Sequence, residues 1–392
     1  MLTISILLLL STGCWDRREI NDLAIVLATG VDLSEEGDVL LSAQIFIPRA
    51  AGGGPQGNTG GSGGNTTGDT FVRKATGKTI AEAMAKLQRK LSRHLFWGHS
   101  EVIVFGHAAA SNGIRAYMDF FLRYLQFREH AYAYVSEGEA ETVLGLEPLL
   151  ERSSSEELRE MGNMKIGMLV TLKNLARMVD GDSRSAVLSN ISPVVSKNGN
   201  RPAAKTTALN HLALFEEDKM IASLQEPESR GLLLIRNEME TINFSFPLKG
   251  TEGEVSINLL DASAKLIPRI GSDGEWRMRI DVRVSGDLIL NTTNISSMSL
   301  PFMEKVKTAW ASQLKEDTDA AIERIQKELA VDAFGFAEQF RRHFPHQWAK
   351  SKADWKEIFK RMPVDVRIYT RVVRIGKSDI PQGIPEDQVR KK

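Results

Sequence analysis

The residues best suited to chemistry are few in this sequence, and one of them has an informative position. The 392 residues include a single cysteine, Cys14, and seven histidines. One thiol allows no internal disulfide, no CxxC redox pair and no cysteine-rich zinc site. Cys14 directly follows the apolar run MLTISILLLLSTG, so its chemistry depends on what that run does.

The apolar run predicts an export signal. Residues 2–10 are almost wholly aliphatic, and Ser11, Thr12 and Gly13 are small, which is the pattern of a signal-peptide core followed by its cleavage site. The run is about half as long as the roughly 20 apolar residues that span a bilayer. We therefore expect residues 1–13 to be a signal peptide and not a permanent anchor. No Lys or Arg precedes the run, so we expect the translation start to lie upstream of Met1.

A cysteine directly after such a site resembles the lipobox of bacterial lipoproteins, whose thiol receives a diacylglycerol before cleavage. Two acyl chains suffice for stable membrane anchoring. Ser11 stands where the lipobox usually has an aliphatic residue, and Leu10 lies one place further back. The alternative is a buried, inert cysteine in a core helix, which fits the charged run DRRE at 16–19 less well. We expect Cys14 to carry lipid and to hold the chain on the outer face of a membrane.

The other candidates for chemistry form no recognisable constellation. The sequence has no GxSxG turn, no HExxH helix and no Walker loop. His343 and His346 are three residues apart, but Pro345 between them disfavours the regular helix that would aim both at one metal. His94 and His99 flank the apolar segment LFW, and we expect hydrogen bonds from them rather than a pair of metal ligands. We predict no catalytic residues, no cofactor and no metal site, and hence no enzyme.

Composition sets the broad class of the protein. Hydrophobic residues make up 42% and charged residues 26% of the chain, as in a soluble globular protein. Fifty basic residues balance fifty acidic ones, which argues against nucleic-acid binding because that relies on an excess of Lys and Arg. The length exceeds that of one ordinary core, so we expect two or three domains.

The N-terminal region, residues 14–195, should alternate strands and helices. Segments rich in Ile, Val and Leu at 23–33 and 39–47 predict strands, and Thr79 with Glu82 forms a capping box that begins a helix. A second helix is expected at about 111–127, and residues 138–180 should be largely helical, with Met164 and Met168 on one face. The order β-β-α-β-α-β indicates a mixed α/β region, and a division into two lobes, 14–136 and 137–195, stays open. Residues 51–68 hold nine glycines and no large apolar side chain, which predicts a loop.

The C-terminal region, residues 205–376, should be an α+β domain. The segment SPVVSKNGNRPAAKT at 192–206 predicts a linker before it. Alternating segments at 209–224 and 254–290 predict hairpins, and a long helix should begin at Pro301 and reach about Ala330. The predicted fold class is therefore multidomain α+β, with an antiparallel-rich C-terminal sheet and helices packed on it.

Three segments together resemble one family, the Ger(x)C family of C-subunit lipoproteins of spore germinant receptors. They are CWDRREINDLAIVLATGVDL at 14–33, LFWGHSEVIVFG at 95–106 and DKMIASLQEPESRGLLLIRN at 218–237. The first segment is the most specific, and the resemblance extends to about residue 376. The family motif transfers one functional residue, Cys14 for lipidation, whereas Trp15–Glu19 match it without an assigned role.

The resemblance implies a location and partners. It implies a lipoprotein on the outer face of the spore inner membrane, working with integral-membrane A and B subunits in a receptor that responds to small nutrients. It also implies several mixed α/β domains without an enzymatic site. The alternative is a lipid-anchored extracytoplasmic solute-binding protein of a transporter, a class that usually has two similar parallel α/β lobes. The antiparallel hairpins predicted in the second half count against that alternative.

Overall fold

The computed structural model of the chain describes residues 22–48, 70–148, 150–196, 204–239 and 242–376. Cys14, the predicted signal peptide and the glycine-rich run lie outside the described residues. The strands are β1 Leu23–Leu33, β2 Val39–Phe46, β3 Thr70–Gly77, β4 His94–Phe96, β5 Val102–Phe105, β6 Tyr132–Ser136, β7 Ser185–Ser196, β8 Ala204–Glu216, β9 Lys219–Leu224, β10 Asn243–Pro247, β11 Glu254–Ile270, β12 Trp276–Asn291 and β13 Val364–Arg374. The α-helices are α1 Ile80–Gln88, α2 His107–Asn112, α3 Arg115–Arg123, α4 Ala140–Leu144, α5 Ser154–Asn163, α6 Leu172–Val179, α7 Glu228–Arg236, α8 Leu300–Ala321, α9 Phe336–His343, α10 Pro345–Ser351 and α11 Trp355–Arg361.

The first sheet has the strand order β3-β2-β1-β5-β6-β7-β8-β9, with β4 paired to β1. Its middle is parallel, because β1, β5, β6 and β7 run in one direction, while β2 and β3 on one side and β8 and β9 on the other pair antiparallel. All four residues of β5 are buried, as expected for a central parallel strand that is covered on both faces.

Helices cover both faces of this sheet. The helices α4 and α5 close a small core on one face around Ala28, Val104 and Leu158. The larger core lies on the other face, under α1, α3 and α6, and continues without a break into the C-terminal half. The two halves of the chain are therefore joined by packed apolar side chains.

The second sheet has the order β10-β11-β12-β13. The first three strands pair antiparallel and β13 lies parallel to β12. Ser299 caps α8, whose buried residues Val306, Trp310 and Leu314 lie one turn apart, and Trp310 contacts Phe244 of β10. The expected multidomain α+β class is confirmed, including the antiparallel-rich C-terminal sheet with packed helices.

Several local expectations differ from the structure. The helix expected near residues 111–127 is two helices, because Gly113 has a φ of 127° that no regular helix accommodates. The helical face expected over residues 138–180 is broken after α5, and Met164 is exposed. Residues 192–196 and 204–206, which were expected in a linker, belong to the paired strands β7 and β8. Residues 197–203 lie outside the described residues, and the domain limits at 195 and 205 stay a prediction.

Candidate functional site

The predicted lipidation site cannot be placed in the fold. Cys14 lies outside the described residues, so its lipidation stays a prediction. The described chain begins at Asp22 and enters β1 at the next residue. In the part of the chain that the structure describes, no helix is long and apolar enough to cross a membrane.

The histidines that the sequence offered as ligand pairs have other contacts. His343 Nδ1 lies 2.9 Å from the carbonyl oxygen of Gln339, one turn earlier in α9, and His346 is exposed. His94 and His99 are exposed, and the ring of His99 packs edge-on against Phe96 with 5.8 Å between centroids. Over the described ranges, no group of three or more His, Cys, Asp or Glu residues could hold a metal ion.

A buried carboxylate, Asp332, marks the place where the two halves of the chain meet. It accepts hydrogen bonds from the backbone N–H groups of Phe336 at 3.0 Å and Ala337 at 2.7 Å, and from Trp355 Nε1 at 3.2 Å. Asp332 therefore satisfies free N–H groups at the start of α9. Burial raises the pKa of Asp332 to about 7, and Glu338 adds to the rise, although the three donors oppose it.

Three polar contacts tie the start of β7 to this C-terminal segment. Ser185 Oγ donates to the backbone oxygen of Asp332 at 2.6 Å. The backbone N–H and the hydroxyl of Ser183 both donate to Glu338 Oε1, at 3.2 and 3.0 Å. We call the set Ser183, Ser185, Asp332, Glu338 and Arg236 the junction, because its members come from both halves of the chain.

Arg236, at the end of α7, is the buried cation of the junction. Its Nη1 donates to the backbone oxygen of Ala333 at 2.6 Å, and its Nη2 lies 3.6 Å from Met178 Sδ in α6. Its Nε has no protein hydrogen-bond partner among the described residues, and neither has Glu338 Oε2. Burial lowers the pKa of Arg236, while the nearby Glu238, Glu338 and Asp332 oppose that shift. The junction thus holds one partly buried guanidinium near the acidic groups Glu338 and Asp332.

A cleft of about 570 Å³ opens beside the junction. Trp348, Trp355 and Phe359 line one side, and the segment 180–184 with Glu216 and Glu217 lines the other. Three ion pairs lie at its rim: Lys356 binds Glu216, Arg184 binds Glu217 at 3.2 Å and Arg115 binds Asp180 at 2.7 Å. The volume would suit a small molecule, and the pair of Arg184 with Glu217 joins the two halves of the chain at its rim.

A buried ion pair joins α7 to α8. Arg230 donates from Nε and Nη2 to the two carboxylate oxygens of Asp317, each at 2.9 Å. The side chain of Asp317 is 1% exposed and that of Arg230 is 21% exposed. The helices are close here, because a Cβ added at Gly231 would lie 2.0 Å from the backbone oxygen of Asp317. Glycine is therefore required at this crossing.

The N-terminal half has one comparable carboxylate, Asp32 at the end of β1. It accepts hydrogen bonds from the backbone N–H groups of Ala140 at 2.7 Å and Glu141 at 3.2 Å, at the start of α4. Burial raises the pKa of Asp32 to about 6. A Cβ at Gly106 would lie 1.8 Å from Asp32 Oδ1, so that glycine makes room for the carboxylate. The arrangement fixes α4 on the sheet, and both carboxylate oxygens accept hydrogen bonds from its first turn.

Sequence reasoning missed all of these buried charged groups. The one signal was a lone acidic residue inside an apolar run, as for Asp332 in AVDAFGF and Asp32 in GVDL. Such a residue must find donors if it is buried. The donors come from residues that are 4 to about 110 positions away, and only the fold reveals them.

Comparison with known proteins identifies relatives over nearly the whole chain. The model of the spore germination protein N-terminal domain matches residues 16–193, and that of the spore germination B3/GerAC-like C-terminal domain matches residues 210–376. Spore germination protein KC of Bacillus subtilis is 26% identical over 96% of this chain and 97% of its own length. Spore germination protein YndF of the same organism is 24% identical over 96% of both chains. The crystal structure of the GerBC protein shares the fold, with a TM-score of 0.55, 16% identity, and coverage of 88% of this chain and 97% of that one.

Proposed function

The chain belongs to the Ger(x)C family of spore germination proteins, and we propose that it is a non-enzymatic, lipid-anchored subunit of a membrane germinant receptor. Its general role, in spore germination, follows from the family. The observation that carries the proposal is that two germination family models, one for each half, together match residues 16–193 and 210–376. In this role the chain works beside integral-membrane A and B subunits on the outer face of the spore inner membrane.

The lipid anchor at Cys14 is supported by its sequence context. The N-terminal family match begins at residue 16, two residues after the cysteine. The apolar run and the small residues before Cys14 have the pattern of a signal peptide. Two acyl chains on the thiol would hold a chain of this size stably on the bilayer.

The absence of an enzymatic role is supported by the geometry of the buried charges. Asp332, Asp317 and Asp32 each use their carboxylate oxygens on donors of the protein itself. A general base or nucleophile must instead reach a bound substrate. These groups therefore stabilise the contacts between helices and sheets.

Fatty-acid labelling tests the anchor. The wild-type chain and the Cys14→Ala variant are expressed in a bacterial host that processes lipoproteins, with a labelled fatty acid in the medium. The label should enter the wild-type protein only, and the variant should leave the membrane fraction. Equal labelling of both proteins would contradict lipidation at Cys14.

The cleft of about 570 Å³ is the one observation that favours the solute-binding alternative. The mixed sheet and the second, antiparallel-rich sheet do not form the two similar parallel lobes of that class. Calorimetry of the soluble chain from residue 15 against a panel of amino acids and sugars separates the two functions. We expect weak or no binding, since a receptor subunit of this kind spends its binding energy on protein contacts. Micromolar affinity for any single compound would favour the solute-binding function.

A further inference from the structure

We propose that the end of the molecule from which the N-terminus leaves makes a second, protein-borne contact with the bilayer. The contact consists of two leucines in separate loops, Leu125 and Leu150, and we call this surface the leucine end. The proposal rests on the lipid anchor of the proposed function and adds the lipid surface as a direct partner of the folded chain.

The two leucines are exposed to an unusual degree. Their relative exposures, 101% for Leu125 and 95% for Leu150, exceed those of every other large hydrophobic residue that the structure describes. Leu122 and Tyr124 beside the first are 39% and 37% exposed. A single exposed leucine needs no explanation, but turns are usually built from Gly, Pro, Asn, Asp or Ser. The turn backbone alone does not require an apolar side chain at either position.

The turn that carries Leu125 is rigidly supported. The Phe127 N–H donates to the Tyr124 carbonyl at 3.0 Å, which places Leu125 at the tip. Beneath it, Phe127 packs against Phe121 at 4.6 Å and Trp97 at 5.3 Å between ring centroids. The ordering cost of holding the leucine outward is therefore already met by the fold, so little conformational entropy remains to be lost on binding.

The two turns lie at the same end of the first sheet. Glu101 lies just before β5. It faces Arg128, which is three residues after Leu125, at 4.0 Å, and it faces Arg159 of α5 at 2.8 Å. Glu101 also lines a cleft with Arg152, two residues after Leu150, and with Phe46 and Thr70, the ends of β2 and β3. The segments that carry Leu125 and Leu150 thus lie on either side of the loop before β5, at one end of the sheet.

The lipid-bearing cysteine can bring this end to the membrane. Leu23 pairs with His94 of β4. Trp97 follows three residues later, and its N–H donates to Oε1 of Gln126, the residue after Leu125, at 3.1 Å. Summed along the chain, Leu125 lies within about 30 Å of Leu23. Cys14 precedes Asp22 by eight residues, which span at most about 29 Å when extended. A tether of this length lets the leucine end reach the bilayer surface.

The chemistry of this end fits a lipid surface better than a protein. Its apolar surface consists of only a few side chains at loop tips. A specific protein interface is larger and buries on the order of 1,000 Å² or more. A tether raises the effective concentration so far that a weak contact suffices, and leucine and tyrosine both suit the bilayer interface. The flanking Arg123 pairs with Asp119 at 2.8 Å, and Arg128 faces Glu101. At Leu125 the contact should therefore depend on apolar insertion and not on salt.

A site-specific fluorophore tests the proposal on the full-length lipoprotein. Cys14 is the sole cysteine, and its thiol is consumed by the lipid, so Leu125→Cys and Leu150→Cys each supply one free thiol for an environment-sensitive dye. Leu300→Cys is the matched control, because Leu300 is 80% exposed at the start of α8 in the C-terminal half. Each labelled protein is reconstituted into neutral phosphatidylcholine vesicles, with and without lipids that carry a quencher near the headgroup.

The expected result is a blue shift and quenching at positions 125 and 150, unchanged between low and high salt, and water-like emission at position 300. Water-like emission at 125 and 150 in protein that floats with the vesicles would overturn the leucine contact and leave the anchor standing. Equal quenching at all three positions would also overturn it, since no particular end would then face the bilayer. Protein that fails to float would refute the anchor itself and, with it, the contact that depends on it.

Discussion

Removing Arg230 should destabilise the protein strongly, because it would leave a buried carboxylate without its cation. Asp317 is 1% exposed and receives two hydrogen bonds of 2.9 Å from Arg230. After the substitution Arg230→Met, the side-chain donor that remains among the described residues is Gln313 Nε2 at 3.2 Å. Breaking a buried pair from one side typically costs about 3–5 kcal/mol. We expect a loss of that size in the free energy of unfolding.

The double variant Arg230→Met, Asp317→Leu separates the cost of the orphaned charge from the worth of the pair. Replacement of both charges by apolar side chains is often neutral in a buried site, so the double variant should recover most of the loss. Arg277→Met is the matched control. Arg277 also faces two carboxylates, at 2.5 and 3.1 Å, but its side chain is 52% exposed, and we expect no measurable change.

Urea denaturation followed by circular dichroism at fixed pH and salt gives the free energy of unfolding of each of the three variants and of the parent protein. The Cys14→Ala background keeps the chain free of lipid. The reasoning would be refuted if Arg230→Met cost as little as Arg277→Met. It would equally be refuted if the double variant were as unstable as Arg230→Met alone, because the orphaned charge would then not be the source of the loss.

Three further predictions follow from the same structure. Gly231→Ala should cost at least about 1–3 kcal/mol, because its Cβ would meet the backbone oxygen of Asp317 at 2.0 Å, and a denaturant melt that matches the wild type would contradict this. The pKa of Asp332 is raised from 3.8 to about 7 on folding, so the folded chain binds more protons between these values and stability should fall as pH rises from about 4 to about 7, by at most roughly 4 kcal/mol. Asp332→Asn should flatten that slope in unfolding curves measured at pH 5 and pH 8, and an unchanged slope would exclude Asp332 as its source. Replacing residues 52–68 by a short Gly-Ser loop should leave the melting temperature nearly unchanged, because the ends of β2 and β3 that they join are already paired and closure entropy changes by only about 0.6 kcal/mol per doubling of length.

The local elements were predictable where one physical signal dominated. The Thr79 capping box begins α1 as expected, with Glu82 N–H donating to Thr79 Oγ1 at 3.2 Å. The alternating residues of β12 and the apolar stripe of α8 gave the C-terminal sheet and its covering helix. These signals are periodic and local, so a single sequence carries them.

The pairing of distant segments was not predictable by the same means. The prolines and polar residues of 192–206 indicated a linker, yet the parts of it that are described continue β7 and β8. Strand pairing overrode the local composition there, because the flanking residues Ser185–Ser189 and Leu212–Glu216 pair in register. The junction was missed for a related reason, since Ser185 and Asp332 are 147 positions apart.

The measurement that tests the central claim most directly is purification of the tagged chain from the membranes of spores in its native host. If the chain is a lipid-anchored receptor subunit, two integral membrane proteins should co-purify with it in fixed proportion. The Cys14→Ala variant, tagged in the same way, should lose them from the membrane fraction. Recovery of the wild-type chain from the membrane with no integral membrane protein bound would contradict the account.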